Sequence, residues 1–287
     1  MPLRQLPSRG LRRLPYPRSV THESVDWARL HAAHDDIATP FYTELAAWMA
    51  PADGARVLDA GCGTGGMLAA FPEDVQLTGV DLDAVSLDVA RVRVPRATFI
   101  RGDVLDPAVA PGRFDLVVAR AMVHHLPDQV SGIRALADRL APGGSFVLGE
   151  GGLPQSMLPA DVGHGEPGLE ARLRVAQDRW FGRMRHGIHA HVPFSGGWGL
   201  ALEQAGLRIE AVRTFVEEQP PPVPALAREV ARTSLGRFLD DEYDDLVSDD
   251  DRGTLRWLLD SDNPLGVDQR RDLHLLGAQT HWRATRA

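Results

Sequence analysis

The sequence predicts an α/β protein built on a doubly wound, largely parallel sheet. Short apolar runs typical of strands alternate with helix-like stretches between residues 56 and 148. A glycine-rich turn follows the first of these runs, which is typical of a ligand site at the edge of such a sheet. Strands that alternate with helices pair in parallel through right-handed crossovers. With 287 residues, 44% of them hydrophobic, the chain can form one large domain with insertions.

The first 50 residues are predicted to form an arm and a helical lid. Residues 1–20 carry five arginines and four prolines without an acid, so they cannot build a helix or a core of their own. Apolar residues recur at helical spacing over residues 23–49. Pro40 divides that stretch into two helices, and Thr39 is the predicted N-cap of the second.

Five strands are predicted in the α/β region, which belongs to a core spanning residues 51–217. They cover residues 56–60, 75–80, 98–101, 114–119 and 145–148. Helices are predicted at residues 84–92 and 129–140. The tripeptide Pro142-Gly143-Gly144 is the expected turn into the fifth strand.

The alternation of strands and helices is interrupted twice after the fifth strand. Residues 151–195 surround an amphipathic stretch and predict a lid insertion. Residues 218–271 predict a helical insertion that includes eight acids among residues 240–251. We interpret these acids as a solvated face, with a metal site or a site for a basic partner as the alternative. Residues 272–287 predict a C-terminal strand that completes the sheet.

Composition limits the partners and the location of the protein. A formal charge of -8 argues against nucleic acid, because phosphate binding needs clustered positive charge. No long apolar run and no secretory signal is seen, so we expect no membrane span and a cytoplasmic location; an organelle presequence in the arginine-rich arm is the weaker alternative. The single cysteine excludes an intramolecular disulfide. We expect a monomer or a homodimer.

The run from Val57 to Gly66, with the sequence VLDAGCGTGG, is the strongest candidate ligand site. A buried strand runs into a glycine-rich turn that opens a helix, which lets a ligand approach the backbone closely. By itself the run is ambiguous. Gly61, Gly63 and Gly66 also satisfy the G-x-G-x-x-G dinucleotide pattern, and Asp81 lies about 20 residues further on, as that pattern requires.

Further motifs follow in an order that resembles the class I S-adenosylmethionine-dependent methyltransferases. The first run resembles their motif I, in which an acid stands two residues before G-x-G-x-G. Later segments are similar to the second to fifth motifs: Gly79-Val80-Asp81-Leu82-Asp83, Arg101-Gly102-Asp103-Val104, Phe114 to Arg120 with His124-His125-Leu126-Pro127-Asp128, and Leu140-Ala141-Pro142-Gly143-Gly144. The resemblance covers about half of the chain and implies S-adenosylmethionine as the cofactor and a Rossmann-like, seven-stranded sheet.

The resemblance also implies which residues bind the cofactor. They are Asp59, Gly61, Cys62, Gly63, Gly65, Asp81, Leu82, Asp103, Val104, Ala119 and Arg120. The Asp81 carboxylate is expected to accept hydrogen bonds from both ribose hydroxyls, and Asp103 from the adenine amino group. Arg120 departs from the family, because many relatives have a small or amide residue there. It is expected to reach the substrate pocket, to pair with an acid near the cofactor, or to turn to solvent.

Three residues are candidates for catalysis. Transfer from an activated sulfonium mainly needs positioning, but an acceptor such as a phenol must also lose a proton to a base. His124 and His125 follow the fourth strand, at the edge where open α/β sheets bind ligands. Glu150 follows the fifth strand. The alternatives are a structural role for His125 beside the cofactor loop and a capping or surface role for Glu150.

Aromatic and histidine residues outside the motifs are candidate substrate contacts. They are Tyr16, Trp27, Trp180, His186 and His189. A metal would need a loop that brings His186, His189 and His191 together, since neither a strand nor a helix places all three on one face. We predict no metal, and keep a metal with a chelating substrate as the alternative.

The sequence therefore predicts an S-adenosylmethionine-dependent methyltransferase that acts on a small molecule, expected in specialised metabolism. Two alternatives stay open. One is a methyltransferase-like protein that keeps the cofactor for a cyclisation or rearrangement, or without catalysis. The other is an NAD-dependent oxidoreductase on a similar sheet.

Overall fold

The computed structural model describes residues 27–287, so Tyr16 and the predicted arm lie outside the described residues. A seven-stranded sheet forms the centre, with the strand order β3-β2-β1-β4-β5-β7-β6. The strands are β1 (Arg56–Ala60), β2 (Gln76–Asp81), β3 (Thr98–Arg101), β4 (Phe114–Arg120), β5 (Leu140–Ser156), β6 (Leu207–Gln219) and β7 (Leu275–Arg286). Strands β1 to β5 pair in parallel, and β7 runs antiparallel to β5 and β6. The predicted Rossmann-like, seven-stranded α/β fold is confirmed.

Nine α-helices surround the sheet in the described residues. They are α1 (Trp27–Ile37), α2 (Thr39–Met49), α3 (Gly66–Ala69), α4 (Ala84–Arg93), α5 (Gln129–Ala137), α6 (Leu169–Gly187), α7 (Trp198–Gln204), α8 (Ala225–Gly236) and α9 (Asp249–Leu259). A short 3-10 helix at Val123–His125 follows β4. Within residues 27–287, no helix combines the length and the apolar character needed to cross a membrane.

Alternate residues of the central strands bury two separate cores, as expected for a parallel sheet covered on both faces. Val57 and Val118 face α2, whereas Leu58 and Val117 face α5 and α7. A third core lies within a helical layer formed by α1, α6, α8 and α9. This helical layer buries its own apolar residues beyond the carboxyl ends of the strands, so it can enclose a site at that edge.

Two local predictions need correction. Thr39 is the first residue of α2 and Ala38 is its N-cap; the Thr39 hydroxyl donates to the carbonyl of Asp36 at 2.9 Å. Because α1 ends at Ile37, the Asp36 carbonyl belongs to its last turn and accepts from this hydroxyl. The fifth strand is much longer than residues 145–148, since β7 pairs with it as far as Ser156. The predicted turn forms an irregularity within this strand, where pairing jumps from Phe114–Leu140 to Leu116–Ser145.

Candidate functional site

The glycine-rich turn after β1 forms a cradle at the carboxyl edge of the sheet. Gly61, Gly63 and Gly65 have φ angles of 74°, 50° and 82°, a region that side chains disfavour. A Cβ on Gly61 would lie 2.8 Å from the Cβ of Met122, so this glycine allows two loops to approach. A Cβ on Gly63 would meet nothing within 4 Å, so the space over this residue is open for a ligand.

Asp81, the last residue of β2, is fixed by the backbone around it. Its Oδ2 accepts from the amide of Gly63 at 2.8 Å, and its Oδ1 accepts from the amide of Asp83 at 2.9 Å. Each oxygen keeps further lone-pair capacity, because a carboxylate oxygen accepts more than one hydrogen bond. The carboxylate therefore presents two oriented acceptors beside the cradle, as a vicinal diol requires.

The residues after β2 and β3 supply an apolar surface and a second carboxylate. Leu82 is 50% exposed although it is a large apolar residue, so its side chain is available to a flat ring. Asp103 is half-buried, and its Oδ1 accepts from the amide of Leu105 at 2.9 Å. The Val104 side chain is buried in the core, which leaves only its backbone for contact with a ligand.

Two other predicted cofactor residues direct their side chains away from the crevice. The Cys62 thiol is buried close to Gly79, and burial raises its pKa. The side chain of Ala119 is fully buried in the core under α5 and α7. These two residues can therefore reach a cofactor only through their backbone.

Asp59, near the end of β1, carries a buried carboxylate. It is 3% exposed, and none of the residues in the described part of the chain donates a hydrogen bond to its carboxylate. Burial raises the pKa of Asp59 to about 7, although the nearby charge of Arg120 opposes this shift. A positively charged group of a ligand would satisfy this carboxylate, so the crevice fits a cofactor that carries an ammonium.

Helix α1 covers the crevice and is attached to the glycine-rich turn by Asp35. The Asp35 carboxylate accepts from the Thr64 hydroxyl, from the Gly66 amide at 3.0 Å and from the Tyr42 hydroxyl at 2.7 Å. One turn earlier on α1, burial lowers the pKa of His31, which also lies within the electrostatic influence of Asp81 and Arg120. Sequence reasoning missed Asp35 because its partners lie 29 and 31 residues further on.

Arg120, the last residue of β4, is turned into the protein, so the expectation of a solvent-facing side chain is wrong. Its guanidinium donates to the Tyr42 hydroxyl and, at 3.1 Å, to Oε1 of Gln279. The guanidinium carbon lies 4.9 Å from the centroid of the Tyr42 ring. Arg120 thus connects β4 to α2 and to β7 under helix α1.

His124 and Glu150 form a hydrogen-bonded pair beyond the end of β4, where the pairing of β4 with β5 stops; Glu150 itself lies within the longer β5 and does not follow it. The distance from His124 Nδ1 to Glu150 Oε2 is 2.8 Å. Glu150 is buried, and its Oε1 accepts from the amides of Val123 at 2.8 Å and His124 at 3.3 Å. Glu150 therefore fixes both the ring and the backbone of the histidine loop, and the surface role is wrong for it.

His125 and Arg185 lie behind this pair. Burial lowers the pKa of His125 to about 4, and the positive charge of Arg185 acts in the same direction. Arg185 of α6 donates to the carbonyls of His124 and Leu126, both at 2.6 Å. The side chain of Arg185 is almost fully buried. Sequence reasoning missed it, since nothing in the pattern of α6 distinguishes it from the other arginines there.

The predicted substrate residues lie in several places. Phe181 is the aromatic neighbour of His124, with ring centroids 5.3 Å apart, whereas Trp180 turns into the helical layer. There Trp180 donates to Glu242 at 2.9 Å and stacks on Tyr243 with centroids 6.0 Å apart. Trp27 lies at the start of α1, with its ring 5.8 Å from that of His31.

The histidines in the last turn of α6 and just after it do not form a three-ligand cluster. His186 and His191 have ring centroids 5.4 Å apart, and His186 Nδ1 lies 2.6 Å from the Gly182 carbonyl oxygen. His189 is exposed. Across residues 27–287, no group of three or more histidine, cysteine or acidic side chains is arranged to hold a metal ion.

The chain is similar in sequence to known methyltransferases. A family profile described as "Methyltransferase domain" matches residues 57–144. The ubiquinone biosynthesis O-methyltransferase of Xanthomonas euvesicatoria is 32% identical over 177 residues, which cover 58% of this chain and 67% of that protein. The Vibrio cholerae enzyme of the same name is 40% identical over 98 residues, or 32% of this chain, and the chain spans only 40% of its length.

A solved Bacillus halodurans structure, named as a candidate methyltransferase, is 19% identical with a TM-score of 0.50. The match covers 86% of this chain and 97% of that one, and it shows the shared fold. Fold and site together define a class I domain that binds a nucleoside cofactor. The chain belongs to the S-adenosylmethionine-dependent methyltransferases, and S-adenosylmethionine is its cofactor.

Proposed function

We propose that the protein transfers the methyl group of S-adenosylmethionine to a hydroxyl group of a small molecule of specialised metabolism, with His124 as the general base. The hydrogen-bonded pair of His124 and Glu150 beside the cofactor crevice is the observation that carries the proposal. A relative named as an O-methyltransferase supports oxygen as the acceptor atom. A small acceptor agrees with a site enclosed by α1 and α6.

In this proposal Glu150 determines which ring nitrogen of His124 carries the proton. An anionic Glu150 beside Nδ1 favours the tautomer that carries a proton there, which leaves Nε2 as a hydrogen-bond acceptor. Nε2 can then take the proton of an acceptor hydroxyl as that oxygen attacks. His125, with its pKa lowered to about 4, stays neutral at physiological pH and supports the loop rather than accepting the proton.

The remaining residues bind, orient and exclude water. The cofactor supplies a methyl group already activated by its positively charged sulfur. We propose that Gly61, Gly63 and Gly65 approach it closely and that the oxygens of Asp81 accept from its ribose. Asp103 and Leu82 hold the adenine in this proposal, and Asp59 receives the ammonium of the methionine half.

Phe181, rather than Trp180, forms an acceptor wall in this proposal, because its ring faces that of His124. In this proposal the exposed rings of His186 and His189 border the entrance. Trp27, whose ring lies 5.8 Å from that of His31, is proposed to cover the outer edge of the crevice.

The test combines a binding assay with a turnover assay. Calorimetric titration with S-adenosylhomocysteine and with NADH shows which cofactor binds, and formation of S-adenosylhomocysteine from S-adenosylmethionine is followed with a panel of phenols and catechols. His124→Asn and Glu150→Gln are expected to lower kcat by about 10²- to 10⁴-fold with unchanged affinity for S-adenosylhomocysteine. Asp81→Asn is expected to weaken that affinity by about 10- to 100-fold, because charge-assisted hydrogen bonds are lost.

A matched control and the product mass complete this test. His164 stacks on Trp257 in the helical layer, so His164→Asn should leave kcat unchanged. Each product should be heavier by one methyl group. Conversion without added methyl would contradict the proposal in favour of a rearrangement enzyme, and binding of NADH alone would favour an oxidoreductase.

A further inference from the structure

Arg120 is a cation held by neutral groups. Its hydrogen-bond acceptors are the Tyr42 hydroxyl and the Gln279 side-chain amide oxygen. Over the described part of the chain, no carboxylate lies within ion-pairing distance of its guanidinium. An enclosed positive charge without a counter-ion in contact is costly, so proteins pair such groups or use them to bind an anion.

Three acids lie near Arg120, and two of them, Asp35 and Glu217, have other neighbours. Asp35 accepts hydrogen bonds from Thr64, Gly66 and Tyr42. Oε1 of Glu217 lies 2.9 Å from Nε2 of His34. Both carboxylates attract Arg120 electrostatically, but neither contacts it. The guanidinium therefore keeps hydrogen-bonding capacity for an anion from outside the chain.

Asp59 lies on the same face of the sheet and is an acid to which none of the described residues donates a hydrogen bond. Asp59 of β1 is in register with Val118 of β4, and Arg120 lies two residues beyond Val118. Since alternate residues of a strand face the same side, both side chains face α1 and α2. One acid without a donor and one cation without a carboxylate in contact thus stand side by side on neighbouring strands.

We propose that Arg120 binds the α-carboxylate of the methionine half of the cofactor, while Asp59 binds its α-ammonium. The zwitterionic end of an amino acid presents these two charges on adjacent atoms, and a guanidinium matches a carboxylate with two parallel hydrogen bonds. The proposal rests on the cofactor role of the crevice described under Proposed function. It assigns Arg120 to the cofactor and not to an anionic acceptor.

The residues behind Arg120 agree with this role. A Cβ on Gly149 would lie 2.8 Å from Cγ of Arg120 and 2.6 Å from Cδ2 of His281, so glycine gives the arginine stem room. His281 is fully buried, and its pKa is lowered to about 3 by burial and by the charge of Arg120. A neutral imidazole at this position adds no second positive charge and no competing anion.

The experiment compares two ligands that differ by one group. Wild type and Arg120→Gln are titrated by calorimetry with S-adenosylhomocysteine and with its decarboxylated analogue, which keeps the amine and lacks only the carboxylate. Wild type is expected to bind S-adenosylhomocysteine about 10- to 100-fold more tightly than the decarboxylated analogue. For Arg120→Gln the two affinities should differ by less than about threefold. Arg120→Lys, which keeps the charge but loses the paired geometry, should give an intermediate preference.

Binding of the decarboxylated analogue reports on the fold of each variant, because that ligand does not need Arg120 in this proposal. Arg213 of β6 lies over the ring of Phe215 and pairs with Glu44 at the surface. Arg213→Gln is therefore the matched control and should keep the ligand preference of the wild type. The proposal is overturned if wild type binds both ligands equally, or if Arg120→Gln keeps the wild-type preference. If Arg120→Gln does not fold, the ligand preferences of wild type and Arg120→Lys test the proposal instead. Failure of wild type to bind S-adenosylhomocysteine would instead contradict the proposed function.

Discussion

The cofactor crevice and the helical layer above it are built in different ways. In the crevice, backbone groups of one short motif contact side chains of the next, as the Gly63 amide does with Asp81. The helical layer reaches the site through single side chains from distant segments. Arg185 holds a carbonyl 61 residues away, and Asp35 reaches an amide 31 residues away. The crevice is therefore a local property of the sequence, whereas its enclosure depends on the complete fold.

Outside the His124–Glu150 pair, loss of the Arg185 side chain should have the largest effect on kcat, and it should separate the contributions of the two regions. Arg185→Met removes two hydrogen bonds of 2.6 Å to the carbonyls of His124 and Leu126. Because displacement of a catalytic group by about 1 Å costs on the order of 10²-fold, we expect kcat to fall by about that factor. Affinity for S-adenosylhomocysteine should stay within about twofold, since the crevice is built without this residue. Turnover and calorimetry measure the two effects.

The same helix offers the control for this variant. Arg183 forms an exposed ion pair with Asp245, with nitrogen and oxygen 2.7 Å apart, and contributes nothing to the loop of His124. Arg183→Met should therefore leave both kcat and ligand affinity unchanged, because exposed ion pairs contribute little. A parallel loss of affinity and of kcat in Arg185→Met would show that the helical layer supports the crevice itself.

The same division explains what the sequence could predict. The positions of β1 to β4, and of Asp81 at the end of β2, follow from contiguous motifs with strong local patterns. Helical periodicity identifies the stretch of α6 but not which of the neighbouring rings, Trp180 or Phe181, turns toward His124. The fifth strand was predicted too short, since only its pairing with β7 extends it to Ser156. Long-range pairing and the rotation of a helix about its axis are tertiary properties.

Gly66 lies where the two regions meet, and its replacement should have a moderate effect on stability. A Cβ at this position would lie 2.5 Å from Oδ1 and 2.6 Å from Oδ2 of Asp35, so Gly66→Ala must displace α1. We expect the free energy of unfolding to fall by about 1–3 kcal/mol, as measured by urea denaturation.

Gly253 in α9 is the matched control, because a Cβ there meets nothing within 4 Å. Gly253→Ala should raise the free energy of unfolding by about 0.5–1 kcal/mol, since alanine favours a helix interior. Equal stability of Gly66→Ala and wild type would mean that α1 is not held against the glycine-rich turn as described.

Asp59 should also give the affinity for the cofactor a pH dependence that belongs to the crevice alone. In the free protein the pKa of Asp59 is raised to about 7 by burial, so protons and a ligand ammonium compete for the same carboxylate. A bound ammonium lowers that pKa again; ligand binding therefore releases a proton, and affinity rises with pH. Between about pH 5 and pH 7 the affinity for S-adenosylhomocysteine should increase by up to about tenfold per unit and then level off. Asp59→Asn should bind S-adenosylhomocysteine more weakly, and its affinity should show no such rise with pH.

Calorimetry in two buffers with different enthalpies of ionisation counts the proton released on binding. An affinity of the wild type that stays flat between about pH 5 and pH 7 would rule out Asp59 as the ammonium site.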